Sequence, residues 1–280
     1  MSFTRQQINE RLGAVIAAGR PIVMGGAGIG LIAKILDTAG IDIIMAYNTG
    51  PFRMDGHGSL AGYLAYGDSN QMTIDLGRQI LPVVKSTPVI AGIGAADPYR
   101  DVVRLIDMML DLGYSGITNV PTAGLYDGRF REHIDATHLG YPEEIRLIAE
   151  CRERDVFTVA YAFSPDEARA MAAAGADIVG AHVGLTVGGM IGAKAALDLE
   201  EACQATLAMY EAAVAERSDV IVVAHGGPFD TPPNVRRVLE TTPVHGYLGA
   251  SSIERLPVED AIGRIVDEFK ALPLGRKPAT

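Results

Sequence analysis

Short apolar runs recur along the chain, beginning near Ile22, Ile41, Val89, Gly116, Phe157, Ile178, Ile221 and His245. Between them lie helical patterns of roughly 10–20 residues, the length of a crossover helix. Eight strands alternating with helices predict a (β/α)8 barrel. The run Val220-Ile221-Val222-Val223-Ala224 is apolar throughout, as a parallel strand covered on both faces should be. Val102, Val103, Ile106, Met109 and Leu110 recur at helical spacing, and so do Val258, Ala261, Ile262, Ile265, Val266 and Phe269. Each set predicts one apolar stripe facing a sheet. Ser164-Pro165-Asp166-Glu167 reads as an N-cap, Pro at the first helical position and acids in the first turn. A helix over residues 4–18 precedes the first strand and is expected to cover the amino end of the barrel.

The length of 280 residues suits one such domain. The expected organisation is a single barrel over 1–280, with an N-terminal helix in 1–19, the barrel proper in 20–272 and a tail in 273–280. With 48% hydrophobic residues but only 6% aromatic and no Trp, the core must be built from aliphatic side chains, Ala and Met.

A net charge of −10 argues against a nucleic-acid partner, which would need a basic face. No apolar run is long enough for a membrane span, and the first residues lack the apolar region of a secretory signal. Cys151 and Cys203 lie in helical patterns without metal-ligand spacing. A reduced, cytoplasmic setting is therefore expected.

A barrel of this kind keeps its chemistry at the carboxyl ends of the strands. The polar residues there are Tyr47 and Asn48, Asp97, Asn119, Tyr161, His182, His225, and Ser251 with Ser252. Segments 47–72 and 120–141 exceed ordinary βα loop length, a mark of functional loops. His225-Gly226-Gly227-Pro228 and Gly249-Ala250-Ser251-Ser252 end strands seven and eight. Small, turn-forming residues at those places suit anion binding through backbone N–H groups, or helix caps and tight turns. His182 and His225 follow neighbouring strands. They read as a proton-transfer pair, as two ligands of a divalent metal, or as structural histidines. Carboxylates at strand ends are scarce, Asp97 standing almost alone, so no cofactor is expected and a divalent metal is the alternative. Arg53 could clamp a substrate carboxylate or pack a loop. Asn48 and Asn119 could orient a carbonyl or cap loops. Gly26-Ala27-Gly28-Ile29-Gly30 has Leu31 where a dinucleotide fingerprint wants its third Gly, and no ribose-binding acid ends strand two.

Several longer stretches resemble the phosphoenolpyruvate hydrolase-like family, also called the TIM-barrel signal transduction family. They include Gly25–Gly30, Tyr47-Asn48-Thr49-Gly50 with Phe52-Arg53-Met54, Asp97-Pro98, Asn119 with Pro121-Thr122, and Tyr161-Ala162-Phe163. Ala181-His182, His225-Gly226-Gly227-Pro228, and Ser251-Ser252 with Glu254-Arg255-Leu256-Pro257 continue the match. The resemblance implies a barrel that hydrolyses a phosphonate or enol phosphate.

The resulting expectation is a hydrolase or lyase cleaving a C–C, C–P or C–O bond next to a carbonyl in a small anionic oxoacid. His182, His225, Tyr161 and Asp97 would be catalytic. Asn48, Arg53, Asn119, Gly226, Gly227, Ser251 and Ser252 would bind substrate. A homo-oligomer is expected. The alternative is a ligand-sensing or protein-interaction barrel without chemistry.

Overall fold

The computed structural model describes residues 2–275; residues 276–280 of the expected tail lie outside the described part. Eight parallel strands close into a barrel in sequence order. They are β1 (Ile22–Gly26), β2 (Ile43–Ala46), β3 (Val89–Gly92), β4 (Gly116–Thr118), β5 (Phe157–Ala162), β6 (Ile178–His182), β7 (Ile221–His225) and β8 (Gly246–Gly249). The helices are α1 (Arg5–Ala17), α2 (Gly30–Ala39), α3 (Thr49–Met54), α4 (Ser69–Ile80), α5 (Val102–Leu112), α6 (Gly128–Ala136), α7 (Tyr141–Glu153), α8 (Pro165–Ala173), α9 (Leu199–Glu216), α10 (Pro232–Thr241) and α11 (Ser251–Lys270).

Side chains on a strand alternate between its two faces. Ile43, Met45 and Tyr47 therefore form one inward column, as do Phe157, Val159 and Tyr161, and Val223 with His225. The apolar members fill the barrel interior, where Ile22, Met24, Ile90 and Leu248 join them. A packed interior leaves the top layer of each column as the floor of any site. Below, α1 closes the amino end. Its Thr4 cap forms a capping box with Gln7, its Ile8 and Leu12 are buried in the interior cluster, and Arg5 pairs with Asp177 at 2.7 Å. Aliphatic clusters between strands and helices form the outer core.

Three expectations need correction. The stripe on α11 does not face a sheet over its length, because residues 261–270 are all exposed. The segment 47–72 is not a structureless loop but carries α3 and a 3-10 turn at Ser59–Tyr63. Likewise 120–141 carries a 3-10 turn at Ala123–Leu125 and α6. Among the described residues no helix is long and apolar enough to cross a membrane.

Candidate active site

In the register of β6 and β7, His182 is paired with His225. Register partners on adjacent parallel strands point to the same face, so the two rings meet inside the barrel mouth. Their centroids are 4.6 Å apart and steeply inclined. Tyr161 lies 5.1 Å from the His225 ring and 5.8 Å from His182. Both histidines are almost fully buried.

The backbone fixes their tautomers in opposite senses. His182 Nδ1 accepts from the Gly184 N–H at 3.0 Å, so its proton sits on Nε2. His225 Nδ1 lies 2.7 Å from the Leu248 carbonyl, which can only accept, so its proton sits on Nδ1 and Nε2 carries a lone pair. One histidine thus has a free donor and the other a free acceptor. Burial depresses both basicities: His225 falls to about 4, and His182 falls well below its ordinary value, with His225 adding to the effect. Both are neutral at pH 7.

Arg53 enters the same mouth from α3. Its Nε and Nη2 donate to Glu254 Oε2 at 3.0 and 2.8 Å, and Nη1 donates to Thr49 Oγ1 at 2.8 Å. Glu254 Oε1 accepts from the Gly28 N–H. A guanidinium has five N–H groups; three are occupied here, leaving two uncommitted. Gly28 and Gly50 approach so closely that a Cβ on either would strike the other's backbone. This contact brings the glycine-rich end of β1 against α3 and seats Arg53.

Arg53, Tyr161, His182, His225 and Ser251 share one cavity of about 50 Å³ with Tyr47, Tyr63 and Thr122. Ser251 opens α11, whose first N–H groups have no intrahelical acceptor. Tyr161 is deeply buried, which raises its hydroxyl far above the ordinary phenol value and keeps it a donor.

The other expected residues stand elsewhere. Asp97 lines a separate cavity and accepts from Asn70 and Arg100, each at 2.8 Å. Asn119 is tied to Glu144 at 2.6 Å and to both backbone groups of Tyr161; it braces the β4–β5 junction rather than facing the cavity. Asn48 donates to the Gly62 carbonyl at 2.6 Å. Gly226 and Gly227 take left-handed backbone conformations. The Gly227 N–H donates to the Gly184 carbonyl at 2.8 Å, so that donor is already engaged. Ser252 Oγ is 2.6 Å from the Tyr247 hydroxyl. Sequence reasoning missed Tyr63 and Glu254, which lie in loops or helices rather than at strand ends, and Glu144. The Glu144 carboxyl is pushed up to about 8 by burial, against hydrogen bonds from Thr122, Ala123 and Asn119.

Family comparison matches residues 7–272 to the phosphoenolpyruvate hydrolase-like model. The chain belongs to that family. The ToMV resistance protein Tm-1(GCR237) of Solanum lycopersicum is 45% identical over 271 residues, covering 96% of this chain and 36% of the relative. The chain thus spans about a third of the length of that tomato protein. Among solved structures, a phosphonopyruvate hydrolase complex with oxalate and Mg++ superposes with a TM-score of 0.60 at 19% identity, covering 98% of this chain and 92% of the other. A 2,3-dimethylmalate lyase, of the PEP mutase/isocitrate lyase superfamily, gives 0.60 at 18% identity, covering 100% and 93%. At such identities these two share the fold.

The phosphonopyruvate hydrolase complex overturns the expectation that no cofactor is involved, since a protein of the same fold is found in complex with oxalate and Mg++, which points to a divalent metal. The side chains of this family member present no ready-made set for one. Among the described residues no three His, Cys, Asp or Glu groups converge as a metal-holding cluster. Glu254 is closed by Arg53 and Gly28, and Asp68 and Asp97 share Arg100.

Proposed function

We propose that the barrel is an enzyme cleaving a bond next to the carbonyl of a small anionic oxoacid. The family and the activities named for its structural neighbours support this class. The observation that carries it is the His182–His225 pair, buried, neutral and oppositely protonated over one cavity. The two uncommitted N–H groups of Arg53, with Ser251 at the start of α11, receive the substrate carboxylate. His225 Nε2 takes a proton from the attacking water or from a substrate hydroxyl. His182 Nε2–H donates to the oxygen on which charge develops. The hydroxyls of Tyr47 and Tyr161, 3.5 Å apart, are further donors beside it.

The test is turnover of phosphonopyruvate, phosphoenolpyruvate, oxaloacetate, 2,3-dimethylmalate, 4-methyl-2-oxopentanoate and phenylpyruvate, with Mg2+ present, followed by NMR. Conversion of at least one, lost in His225→Ala, is expected. Ligand-induced stabilisation with no conversion of any would overturn the enzyme reading and leave a ligand-sensing barrel.

The enzyme acts as a homo-oligomer in a reducing, cytoplasmic setting. Free, buried Cys151 and Cys203 are consistent with that compartment. Support for a second copy comes from α11. Ile262, Ile265, Val266 and Phe269 lie at i, i+3, i+4 and i+7 and are all exposed. On α2, the next helix around the barrel, Leu31 and Ile35 are exposed one turn apart. A projecting apolar stripe and an uncovered apolar face on the same chain are complementary between two copies.

A further inference from the structure

The catalytic cavity is too small for most oxoacids. Its roughly 50 Å³ is room for a few waters. Beside it, between the segments after β2, β3 and β4, lies a chamber of about 410 Å³, within the range of ligand sites. Tyr63 and Thr122 line both spaces, which therefore adjoin at these two residues. The Tyr126 hydroxyl donates to the Tyr63 carbonyl at 2.6 Å, which ties this junction to the loop after β4.

We propose that the chamber and the catalytic cavity are two halves of one substrate site, the chamber holding an uncharged, partly apolar tail. The inference rests on the His182–His225 cavity being the reaction centre. The charge of the chamber selects the tail. Arg100 is engaged by Asp68 at 2.6 Å and Asp97 at 2.8 Å, and Arg131, which donates to the Ala123 carbonyl of the lining, by Asp135 at 2.8 Å and Glu167 at 3.0 Å. The Asp97 carboxylate, though partly desolvated, is held below its ordinary value by Asn70, the Tyr99 N–H and Arg100. Two carboxylates against one guanidinium leave a net negative wall, which repels a second anionic group. A diacid or a phosphorylated tail is disfavoured. Apolar side chains share the lining with Ser69, Asn70 and Thr122: Leu64, Tyr99 and Leu139 are exposed around it, with Pro121 and Tyr126 beside them. Exposed apolar side chains gathered at a cavity are what a ligand tail would cover. The substrate class is therefore a monocarboxylic 2-oxo or 2-hydroxy acid with an alkyl or aryl tail.

The experiment measures binding by calorimetry, with Mg2+ present, of oxalate, pyruvate, 4-methyl-2-oxopentanoate and phenylpyruvate. It uses the wild type and Ala96→Phe, which puts a ring into the chamber that Ala96 lines. The two tailed acids should bind the wild type about tenfold or more tighter than pyruvate, the worth of burying roughly two methylene groups. In Ala96→Phe that advantage should vanish while oxalate and pyruvate bind unchanged, which also shows that the variant is folded. A second variant, Leu139→Glu, should weaken only the tailed acids. Tailed acids no tighter than pyruvate in the wild type would overturn the proposal. So would equal losses for all four ligands in both variants. Tail-dependent binding sensitive to Ala96→Phe, with no binding of oxalate, would keep the chamber and remove the head-group assignment. No binding of any ligand would overturn both.

Discussion

Arg53 and Glu254, 201 residues apart in sequence, form a fully buried ion pair in which both Nε and Nη2 donate to one carboxylate oxygen. Burial raises the Glu254 carboxyl while Arg53 and the Gly28 N–H pull it back. The pair joins α3 to α11 across the barrel mouth and presents the outer edge of the guanidinium to the cavity. Breaking such a pair by removing one partner strands a buried charge and typically costs about 3–5 kcal/mol. Glu254→Gln and Arg53→Met should each lose stability on that scale in chemical denaturation. The double variant Arg53→Met with Glu254→Met should recover most of it but bind no oxoacid. Single variants as stable as wild type would show that the pair does not organise the mouth.

Buried titratable groups give the stability a pH signature of known sign. Glu144, raised to about 8, holds a proton in the folded protein over a range where the unfolded chain has released it. Its contribution therefore weakens as pH rises from about 4.5 through 8. His225, lowered to about 4, stays neutral where the unfolded chain, titrating near 6.5, takes up a proton. Its contribution is full above about pH 6.5 and is lost as pH falls toward 4. Between pH 6.5 and 8.5 the Glu144 carboxyl should cost the wild type about 2 kcal/mol relative to a variant without it. Denaturation at both pH values should show the wild type losing about 2 kcal/mol more than Glu144→Gln. Equal losses in both proteins would contradict the assignment.

The barrel was legible in the sequence because parallel strands covered on both faces are continuous apolar runs. Six of the eight run starts coincide with observed strand starts, and Ile41 and His245 precede theirs by two residues and one. The histidines were legible for the same reason, standing last in their strands. Their tautomers were not, because they depend on the Gly184 N–H and the Leu248 carbonyl, backbone groups that only the closed barrel brings near. Glu144 reads in sequence as an ordinary acid in a helix first turn, and its burial follows from the β4 loop folding over it. The α11 stripe had the right period but the wrong partner, since helical spacing tells which residues share a face and not what covers it.

That uncovered stripe makes the oligomeric state measurable. Light scattering on the purified chain should give a mass above one copy, and Ile265→Asp with Phe269→Asp should shift it to a single copy without changing the melting temperature. A wild type of monomer mass at micromolar concentration would contradict the second-copy reading.

The proton-carrying role of the histidine pair is tested most directly by comparing turnover with oxalate binding in His182→Ala and His225→Ala, on whichever oxoacid is converted. Each variant should keep oxalate affinity near that of the wild type and lose roughly 10²–10⁴ in kcat, the usual worth of general acid–base help. Unchanged kcat in either variant would contradict the pairing of a donor on His182 with an acceptor on His225.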